Sequence, residues 1–254
     1  MSNKLLVLPG LLLLLPLTAC GGGADDQTLT VLAAASLTGT FTELAQTFED
    51  EHPGVTVELV FGSSTTLAEQ AADGAPGDVL ATADEKSMTL AEDGNALGAS
   101  PAAFVSNRLT LVTPPDNPAR IDSLTDLDSP GVDYVVCADT APCGAAAVAV
   151  LTDAGITAAP ASQEVDVKAV LARVVQGEAD AGLVYRTDAV AAGEDVTEVP
   201  VSEAEAYASN YFIAPVQHGD AETEDLADEF VTFVGSNQAG KVFTQAGFGG
   251  ILRE

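Results

Sequence analysis

Short apolar runs alternate with amphipathic helical stretches along the chain from Thr28 onward. Apolar runs bounded by turn residues indicate strands, and apolar positions repeating every three to four residues indicate helices. The predicted strands are residues 29–33, 56–61, 79–82, 109–113, 134–138, 181–185, 196–200 and 211–216. The predicted helices are residues 38–51, 66–74, 85–93, 144–154, 168–177, 224–235 and 238–246. This alternation predicts an α/β fold with parallel sheets, and a length of 254 residues favours two lobes over one.

One strand-to-helix turn lies in the segment from Thr30 to Thr38. The apolar run there ends in Ala33-Ala34-Ala35-Ser36 and a helical pattern follows at once, so Ser36 is predicted to be the helix N-cap. A helix that begins where a strand ends presents unpaired backbone N–H groups at the sheet edge, where α/β proteins bind ligands. Such a turn suits an oxyanion. The same pattern recurs at Ser63-Ser64, at Pro142-Cys143-Gly144 and at Val165-Asp166-Val167.

The N-terminal segment differs from the rest of the chain. Lys4 precedes an apolar run from Leu5 to Leu17, which ends in the small-residue sequence Leu17-Thr18-Ala19-Cys20. This pattern predicts a secretory signal peptide over residues 1–19, because the run is too short to span a membrane comfortably. Leu-Thr-Ala-Cys resembles a lipobox, which implies cleavage before Cys20 and lipidation of Cys20. Ordinary secretion with a free thiol there is the alternative, and residues 20–27 are predicted to be a flexible tether.

The charge balance of the chain is strongly acidic. It has 38 Asp and Glu residues against 9 Lys and Arg residues, for a net charge of -29. This balance argues against nucleic-acid binding, and the resulting field also repels a small anion. The Debye length falls to about 3 Å at about 1 M salt, so high ionic strength would relieve that repulsion. We therefore hypothesise that the protein is adapted to salt.

Two cysteines remain after Cys20. Cys137 and Cys143 lie close in sequence in a chain that is predicted to be exported to an oxidising space, so we predict a disulfide between them. Zinc binding is the competing interpretation. It is a poor one, because only His52 and His218 could complete the four ligands and neither has metal-site spacing.

Four motifs together resemble the molybdate-binding proteins of bacterial ABC importers. They are Ala34-Ala35-Ser36-Leu37-Thr38, Phe61-Gly62-Ser63-Ser64-Thr65-Thr66-Leu67-Ala68, Gly74-Ala75-Pro76-Gly77-Asp78-Val79 and Gly182-Leu183-Val184-Tyr185. They have the family's order and similar separations. The resemblance implies an α/β, two-lobe periplasmic-binding-protein type II fold with the ligand cleft between the lobes. It also implies high-affinity extracytoplasmic binding of molybdate, and of tungstate as well, with delivery to an ABC importer.

The resemblance implies how the chain divides between the lobes. Residues 28–108 would form the first part of lobe one, residues 109–210 lobe two, and residues 211–254 the return part of lobe one. Extended segments at 107–112 and 209–214 would carry the two crossings. A hinge motion would then close the lobes on the ligand.

Carried over residue by residue, the resemblance implies five oxyanion-binding residues. Ser36 and Ser64 would bind molybdate through side chain and backbone, Cys143 and Val167 through backbone N–H groups, and Tyr185 through its hydroxyl. Simpler roles stay open for each of them. The serines could merely cap helices, Val167 could be a core residue, and Tyr185 could be a core tyrosine with a satisfied hydroxyl.

Two charged residues beside these positions are predicted to stay out of the site. Asp166 is expected to be a helix N-cap, because a carboxylate facing a dianion repels it. Arg186 follows Tyr185 and is expected to face solvent, because successive strand residues point to opposite sides. A site of uncharged donors accepts molybdate, tungstate or sulfate and disfavours phosphate, whose proton needs an acceptor. Separation of molybdate from sulfate then depends on size.

The sequence contains no nucleophile elbow, Walker loop or zinc-protease helix. We therefore predict a binding protein rather than an enzyme, with no cofactor and molybdate or tungstate as its ligand. A binding protein for another solute, such as sulfate or a small organic anion, is the alternative. The expected partners are the permease and ATPase subunits of an ABC importer. The protein is expected to be a monomer, extracytoplasmic and held at the cell membrane by its lipid anchor.

Overall fold

The computed structural model describes residues 27–217, 221–250 and 252. The predicted signal peptide, Cys20, His218 and the tether up to residue 26 lie outside these residues. The described chain is an α/β protein of two lobes, each built on a five-stranded sheet. None of its described helices combines the length and hydropathy that a membrane-spanning segment needs.

The sheet of lobe one has the strand order β2-β1-β3-β10-β4. Its strands are β1 (Gln27–Ala34), β2 (Val55–Gly62), β3 (Val79–Thr82), β4 (Ala102–Asn107) and β10 (Ser209–Pro215). Strand β4 was not predicted, although it contains Phe104 and Val105, because its apolar run is only four residues long and ends in the polar residues Ser106 and Asn107.

The sheet of lobe two has the strand order β7-β6-β8-β5-β9. Its strands are β5 (Leu109–Thr113), β6 (Tyr134–Cys137), β7 (Ser162–Glu164), β8 (Ala181–Tyr185) and β9 (Thr197–Val199). The edge strand β7 was not predicted, since it is short and polar and pairs with β6 alone.

Both sheets are mixed, so the prediction of parallel sheets is wrong for part of each. Strands β1, β2 and β3 are parallel to one another, as are β6, β7 and β8. In contrast, β10 is antiparallel to β3 and β4, and β5 is antiparallel to β8 and β9. The antiparallel strands β5 and β10 are those that enter a sheet directly after the chain has crossed from the other sheet.

The helices cover both sheets. They are α1 (Thr38–Glu51), α2 (Ser64–Ala72), α3 (Glu85–Asp93), α4 (Pro142–Asp153), α5 (Val167–Val175), α6 (Arg186–Ala192), α7 (Ala221–Val234) and α8 (Asn237–Gln245). Helix α6 was not predicted because its sequence reads as a continuation of β8. The others lie within a few residues of their predicted bounds.

The chain crosses between the sheets twice. Arg108 alone separates β4 from β5, and the return runs from β9 to β10 through a 3₁₀ turn at Glu203–Tyr207. In the first sheet, Ser209 pairs with Asn107 and Asn210 pairs with Ser106. The lobe boundaries given above stay a prediction.

The core of lobe one is aromatic. Phe41 lies 6.2 Å from Phe104, 6.1 Å from Phe230 and 6.4 Å from Phe243, measured between ring centroids. All four side chains are buried. These contacts fix α1, α7 and α8 against the sheet, and so they fix the turn between β1 and α1.

Candidate functional site

A small cavity lies between the two lobes, at the ends of their central strands. The space that it encloses, counted out to where it opens to solvent, is about 230 Å³. All five residues of the predicted site line it, and all five are buried: Ser36, Ser64, Cys143, Val167 and Tyr185. Two come from lobe one and three from lobe two. The structure therefore brings together residues that lie far apart in the chain.

Ser36 lies in the turn between β1 and α1. The prediction that it caps the helix is wrong, because a 3₁₀ turn at Ala35–Leu37 precedes α1 and Leu37 holds the N-cap position. The Ser36 side chain instead reaches across the sheet, where its Oγ lies 2.8 Å from the hydroxyl of Tyr211. The hydroxyl is thus held at the cavity wall by a residue of β10.

Ser64 is the first residue of α2, and Ser63 occupies the N-cap position without a side-chain cap hydrogen bond. Ser64 is also not a cap, because its Oγ accepts a hydrogen bond from the backbone N–H of Ala83 at 2.9 Å. That bond uses a lone pair and leaves the hydroxyl hydrogen of Ser64 free to point into the cavity.

Cys143 is the second residue of α4, directly after Pro142. In the structure its sulfur is bonded to that of Cys137, at 2.04 Å, which ties the start of the helix to the end of β6. Gly144 packs so closely against this loop that a Cβ there would lie 1.8 Å from the carbonyl oxygen of Ala138. The glycine therefore allows the first turn of α4 to approach the loop.

Val167 begins α5, and Asp166 is its N-cap. As predicted, the Asp166 carboxylate caps the helix, accepting a hydrogen bond from the N–H of Ala169 at 2.9 Å. The first N–H groups of a helix have no carbonyl of the same helix four residues before them. The N–H of Val167, the first residue of α5, is one of these unpaired donors.

Tyr185 ends β8 and is 1% exposed. Burial raises the pKa of its hydroxyl far above the usual range, so the hydroxyl keeps its proton and can donate. It lies 3.5 Å from the Oγ of Ser209, the first residue of β10. Arg186 does not line the cavity. The expected reason was wrong, however, because β8 has already ended and Arg186 starts α6, donating to the carbonyl of Gly247 at 3.5 Å.

The cavity is electrostatically suited to an anion without a positive side chain. The first residues of α2, α4 and α5 line it, so three helix N-termini with their partial positive charges converge there. Among the described residues of its wall none is Lys, Arg or His, and the single charged one is Asp166. This arrangement can bind an oxyanion through hydrogen-bond donors alone.

The lobes contact each other around the cavity. The hydroxyl of Thr65 in lobe one donates to the carbonyl of Thr140 in lobe two at 2.7 Å. On the other side, Asn107 Nδ2 donates to Thr187 Oγ1 at 2.9 Å. The structure therefore holds the two walls of the cavity together.

Sequence reasoning missed two features beside the cavity. One is Tyr211, which was placed in a crossing segment but given no role. The other is the ion pair of Lys168 with Asp188, whose Nζ and Oδ1 lie 2.7 Å apart while Asp188 is fully buried. Asp188 could have indicated the start of a helix at Arg186, since acidic residues are enriched in the first turn of helices.

Comparisons with known proteins agree with this geometry. The family model for bacterial extracellular solute-binding proteins matches residues 29–249. The molybdate-binding protein ModA of Mycobacterium tuberculosis is 35% identical over 242 residues, covering 91% of this chain and 92% of that protein. These matches confirm the resemblance indicated by the four motifs.

Solved structures have the same fold. The periplasmic molybdate-binding protein of Azotobacter vinelandii has a TM-score of 0.74 at 24% identity, over 89% of this chain and 100% of that one. The sulfate-binding protein SubI of Mycobacterium tuberculosis has a TM-score of 0.76 at 19% identity, over 87% of this chain and 86% of that one. At these identities the likeness shows the two-lobe fold alone.

Proposed function

The chain belongs to the bacterial extracellular solute-binding protein family, and on that premise we propose that it binds molybdate outside the cytoplasm. We extend the proposal to tungstate, which has the same charge and shape, and to delivery of the bound anion to an ABC importer. The observation that carries the proposal is the convergence of uncharged donors from both lobes on one small cavity. The full-length similarity to a molybdate-binding protein supports it.

We assign the ligand contacts to five residues. Ser36 and Ser64 donate through their hydroxyls and backbone N–H groups, Cys143 and Val167 through backbone N–H groups, and Tyr185 through its hydroxyl. The donors differ in chemistry but share one property, since each has a hydrogen to offer and none brings a formal charge. A tetrahedral dianion can accept from all of them at once.

The five proposed contacts are all donors, and the one carboxylate in the wall, that of Asp166, already caps α5, which supports discrimination against phosphate. Near neutral pH hydrogen phosphate keeps a proton that needs an acceptor, whereas molybdate, tungstate and sulfate need donors alone. A buried proton without an acceptor costs about 1–3 kcal/mol. Phosphate should therefore bind at least roughly 5-fold more weakly than a deprotonated dianion of the same size.

Sulfate binding is the second candidate function. The likeness in fold to the sulfate-binding protein SubI is compatible with it, and so is a small cavity of uncharged donors. A small organic anion belongs to the same alternative. The donors themselves do not separate sulfate from molybdate, so the discriminating property is the anion's size.

Calorimetric titration of the purified protein tests the proposal. Molybdate and tungstate should bind tightly with a stoichiometry of one, sulfate more weakly, and phosphate more weakly than a deprotonated dianion of its size. Tight sulfate binding without molybdate binding would establish the alternative instead. A Ser64→Ala variant should weaken binding roughly 10-fold or more, through the loss of one donor to a charged acceptor.

The remaining parts of the proposal concern location and partners. We propose a lipid anchor at Cys20, a permease and its ATPase as partners, a monomeric state and no catalytic role. The lipid is testable by mass spectrometry of the mature protein, and Cys20→Ala should release the protein from the membrane fraction. We also propose that the bond between Cys137 and Cys143 forms in the exported protein, so that free-thiol labelling under native conditions should not modify either residue.

A further inference from the structure

We propose that Tyr211 is a positioning residue, which orients the hydroxyl of Ser36 so that its hydrogen points at the bound anion. Tyr211 does not line the cavity itself. It acts from β10 through its hydrogen bond to Ser36. The inference rests on the proposed function, because it concerns the direction in which one of the proposed anion donors points.

The direction of the hydrogen bonds is set at Asn107. Its side-chain Oδ1 lies 2.9 Å from the backbone N of Arg108. A backbone N–H can only donate, so the side facing Arg108 is the amide oxygen and the opposite side is the NH₂ group. The orientation of the Asn107 amide is therefore fixed by the backbone N–H of Arg108, which can act only as a donor.

The NH₂ group of Asn107 faces two hydroxyls. Its Nδ2 lies 2.9 Å from Oγ1 of Thr187 and 3.4 Å from the hydroxyl oxygen of Tyr211. An NH₂ group has two hydrogens and accepts nothing, so both hydroxyl oxygens must accept from it. The oxygen of Tyr211 thus faces a donor, and its own hydrogen must point elsewhere.

Two hydroxyls could accept the hydrogen of Tyr211, those of Ser36 and Tyr185, and we assign it to Ser36, with which Tyr211 makes the shorter contact. The two hydroxyl oxygens are 2.8 Å apart, a usual distance for a hydroxyl pair. When the oxygen of Ser36 accepts from Tyr211, the hydrogen of Ser36 is free for the cavity. The Arg108 N–H therefore fixes the orientation of the Asn107 amide, and the amide fixes the direction in which the Tyr211 hydroxyl donates. The Ser36 hydroxyl is then left to donate to the anion.

The surroundings of Tyr211 keep it in place and keep it protonated. Its side chain is fully buried, with its ring 5.4 Å from that of Phe248 and 6.3 Å from that of Phe104. Burial raises the pKa of its hydroxyl well above the usual value. The hydroxyl therefore stays a donor at any pH at which the protein functions.

This chain of hydrogen bonds makes a prediction about specificity. Without Tyr211 the Ser36 hydroxyl can rotate and offer a lone pair to the cavity, which is what the proton of hydrogen phosphate requires. Loss of the tyrosine hydroxyl should therefore weaken molybdate binding and at the same time reduce discrimination against phosphate. A purely structural role for Tyr211 would affect both anions alike.

The test compares Tyr211→Phe with Tyr134→Phe. Tyr134 is a matched control, since it is also buried and its hydroxyl donates to the carbonyl of Ala158 at 2.6 Å, within lobe two and outside the cavity. Calorimetry should show the molybdate Kd of Tyr211→Phe raised roughly 3- to 15-fold, the range expected for one hydrogen bond. The ratio of phosphate Kd to molybdate Kd should fall. Tyr134→Phe should leave both values at those of the wild type.

A second variant reverses the direction of these hydrogen bonds and leaves Tyr211 in place. In Asn107→Asp the group facing Tyr211 becomes an acceptor, so Tyr211 donates to it and Ser36 donates to Tyr211 instead of the anion. We expect this variant to raise the molybdate Kd by about 10-fold or more. If Tyr211→Phe fails to fold, the ratio of phosphate Kd to molybdate Kd in Asn107→Asp decides the question, because the added charge repels both anions and only the reversed hydrogen bonds lower the ratio.

The outcomes separate the inference from the function on which it rests. A wild-type protein that binds no molybdate refutes the proposed function. A wild-type protein that binds molybdate, together with Tyr211→Phe and Asn107→Asp variants of unchanged affinity and unchanged phosphate ratio, refutes the positioning role alone. Equal weakening for molybdate and phosphate also refutes it, because it indicates a structural effect.

Discussion

Substitution of Gly144 by alanine should disrupt the anion site without touching any proposed ligand atom. A Cβ at this position would lie 1.8 Å from the carbonyl oxygen of Ala138, 2.4 Å from its carbonyl carbon and 2.8 Å from the oxygen of Cys137. Real Cβ contacts are essentially never shorter than 3.0 Å, so the helix start or the loop must move by more than about 1 Å. The atoms in the way are backbone, which no rotamer change can displace.

Neither side can move freely. The Ala138 N–H is bonded to Glu164 at 2.8 Å and its carbonyl accepts from Ala141 at 2.9 Å, while the bond from Cys143 to Cys137 ties the helix to the loop. Overpacking of this kind costs about 1–3 kcal/mol. Displacement of the Cys143 N–H from the anion costs about 1.5–3 kcal/mol more in binding, which corresponds to a roughly 10- to 150-fold higher molybdate Kd.

Gly39→Ala is the control for this variant. Gly39 lies in the first turn of α1, is exposed and has nothing within 4 Å of a built Cβ. It should bind molybdate as the wild type does and unfold at the same or a slightly higher temperature, because alanine is the better helix former. Calorimetry and thermal unfolding measure both variants. A Gly144→Ala protein with wild-type affinity and stability would refute the close approach of α4 to its loop.

Three further changes have defined outcomes. Tyr185→Phe should raise the molybdate Kd roughly 10-fold in calorimetry while the melting temperature stays within a few degrees, since one donor to a charged acceptor is lost. Asp166→Asn should keep the cap on Ala169 but remove a negative charge from the cavity wall, so that molybdate binds about 2- to 5-fold more tightly at low salt. Lys168→Met should destabilise the protein by roughly 3 kcal/mol at pH 7, because Asp188 is then buried without its cation. Burial already raises the pKa of Asp188, against the opposing effect of Lys168. A raised pKa in the folded state favours folding at low pH, so the loss of melting temperature in Lys168→Met should shrink from pH 7 towards about pH 4.

The strand and helix pattern predicted most of the fold because most elements bury one apolar face. The exceptions are short elements. Strand β7 is short and polar, so local propensity does not reveal it, whereas the signals in β4 and α6, Phe104-Val105 and Asp188, are present but brief. The antiparallel direction of β5 and β10 was also missed. The alternation of strands and helices does not show where the chain crosses to the other sheet, and the direction of these two strands depends on those crossings.

The candidate site was predictable only as a set of turns. Each of the four turns has a local signal, and together they contain Ser36, Ser64, Cys143 and Val167. The assignment of these four residues and of Tyr185 to the site came from the resemblance, and all five line the cavity. What the serine side chains do was not predictable, since the sequence pattern of a helix cap is the same whether or not the hydroxyl is used elsewhere. The partners of these hydroxyls, Tyr211 and the N–H of Ala83, lie 175 and 19 residues away in the chain. Contacts at such separations follow from the sheet order rather than from any local signal.

A protein with a net charge of -29 can hold a dianion because repulsion and attraction act over different distances. The attraction comes from N–H and O–H groups in contact with the anion and from helix ends within a turn of it, and salt screens such buried contacts much less than surface charges. The repulsion comes from the acidic surface as a whole, and salt screens charges that lie farther from the site than the Debye length of about 8 Å at physiological ionic strength. Salt should therefore accelerate association by screening the acidic surface and leave dissociation nearly unchanged. Molybdate affinity should then be at least as high in about 1 M chloride as in dilute buffer, whereas a site that relied on exposed lysine or arginine would lose affinity under the same conditions.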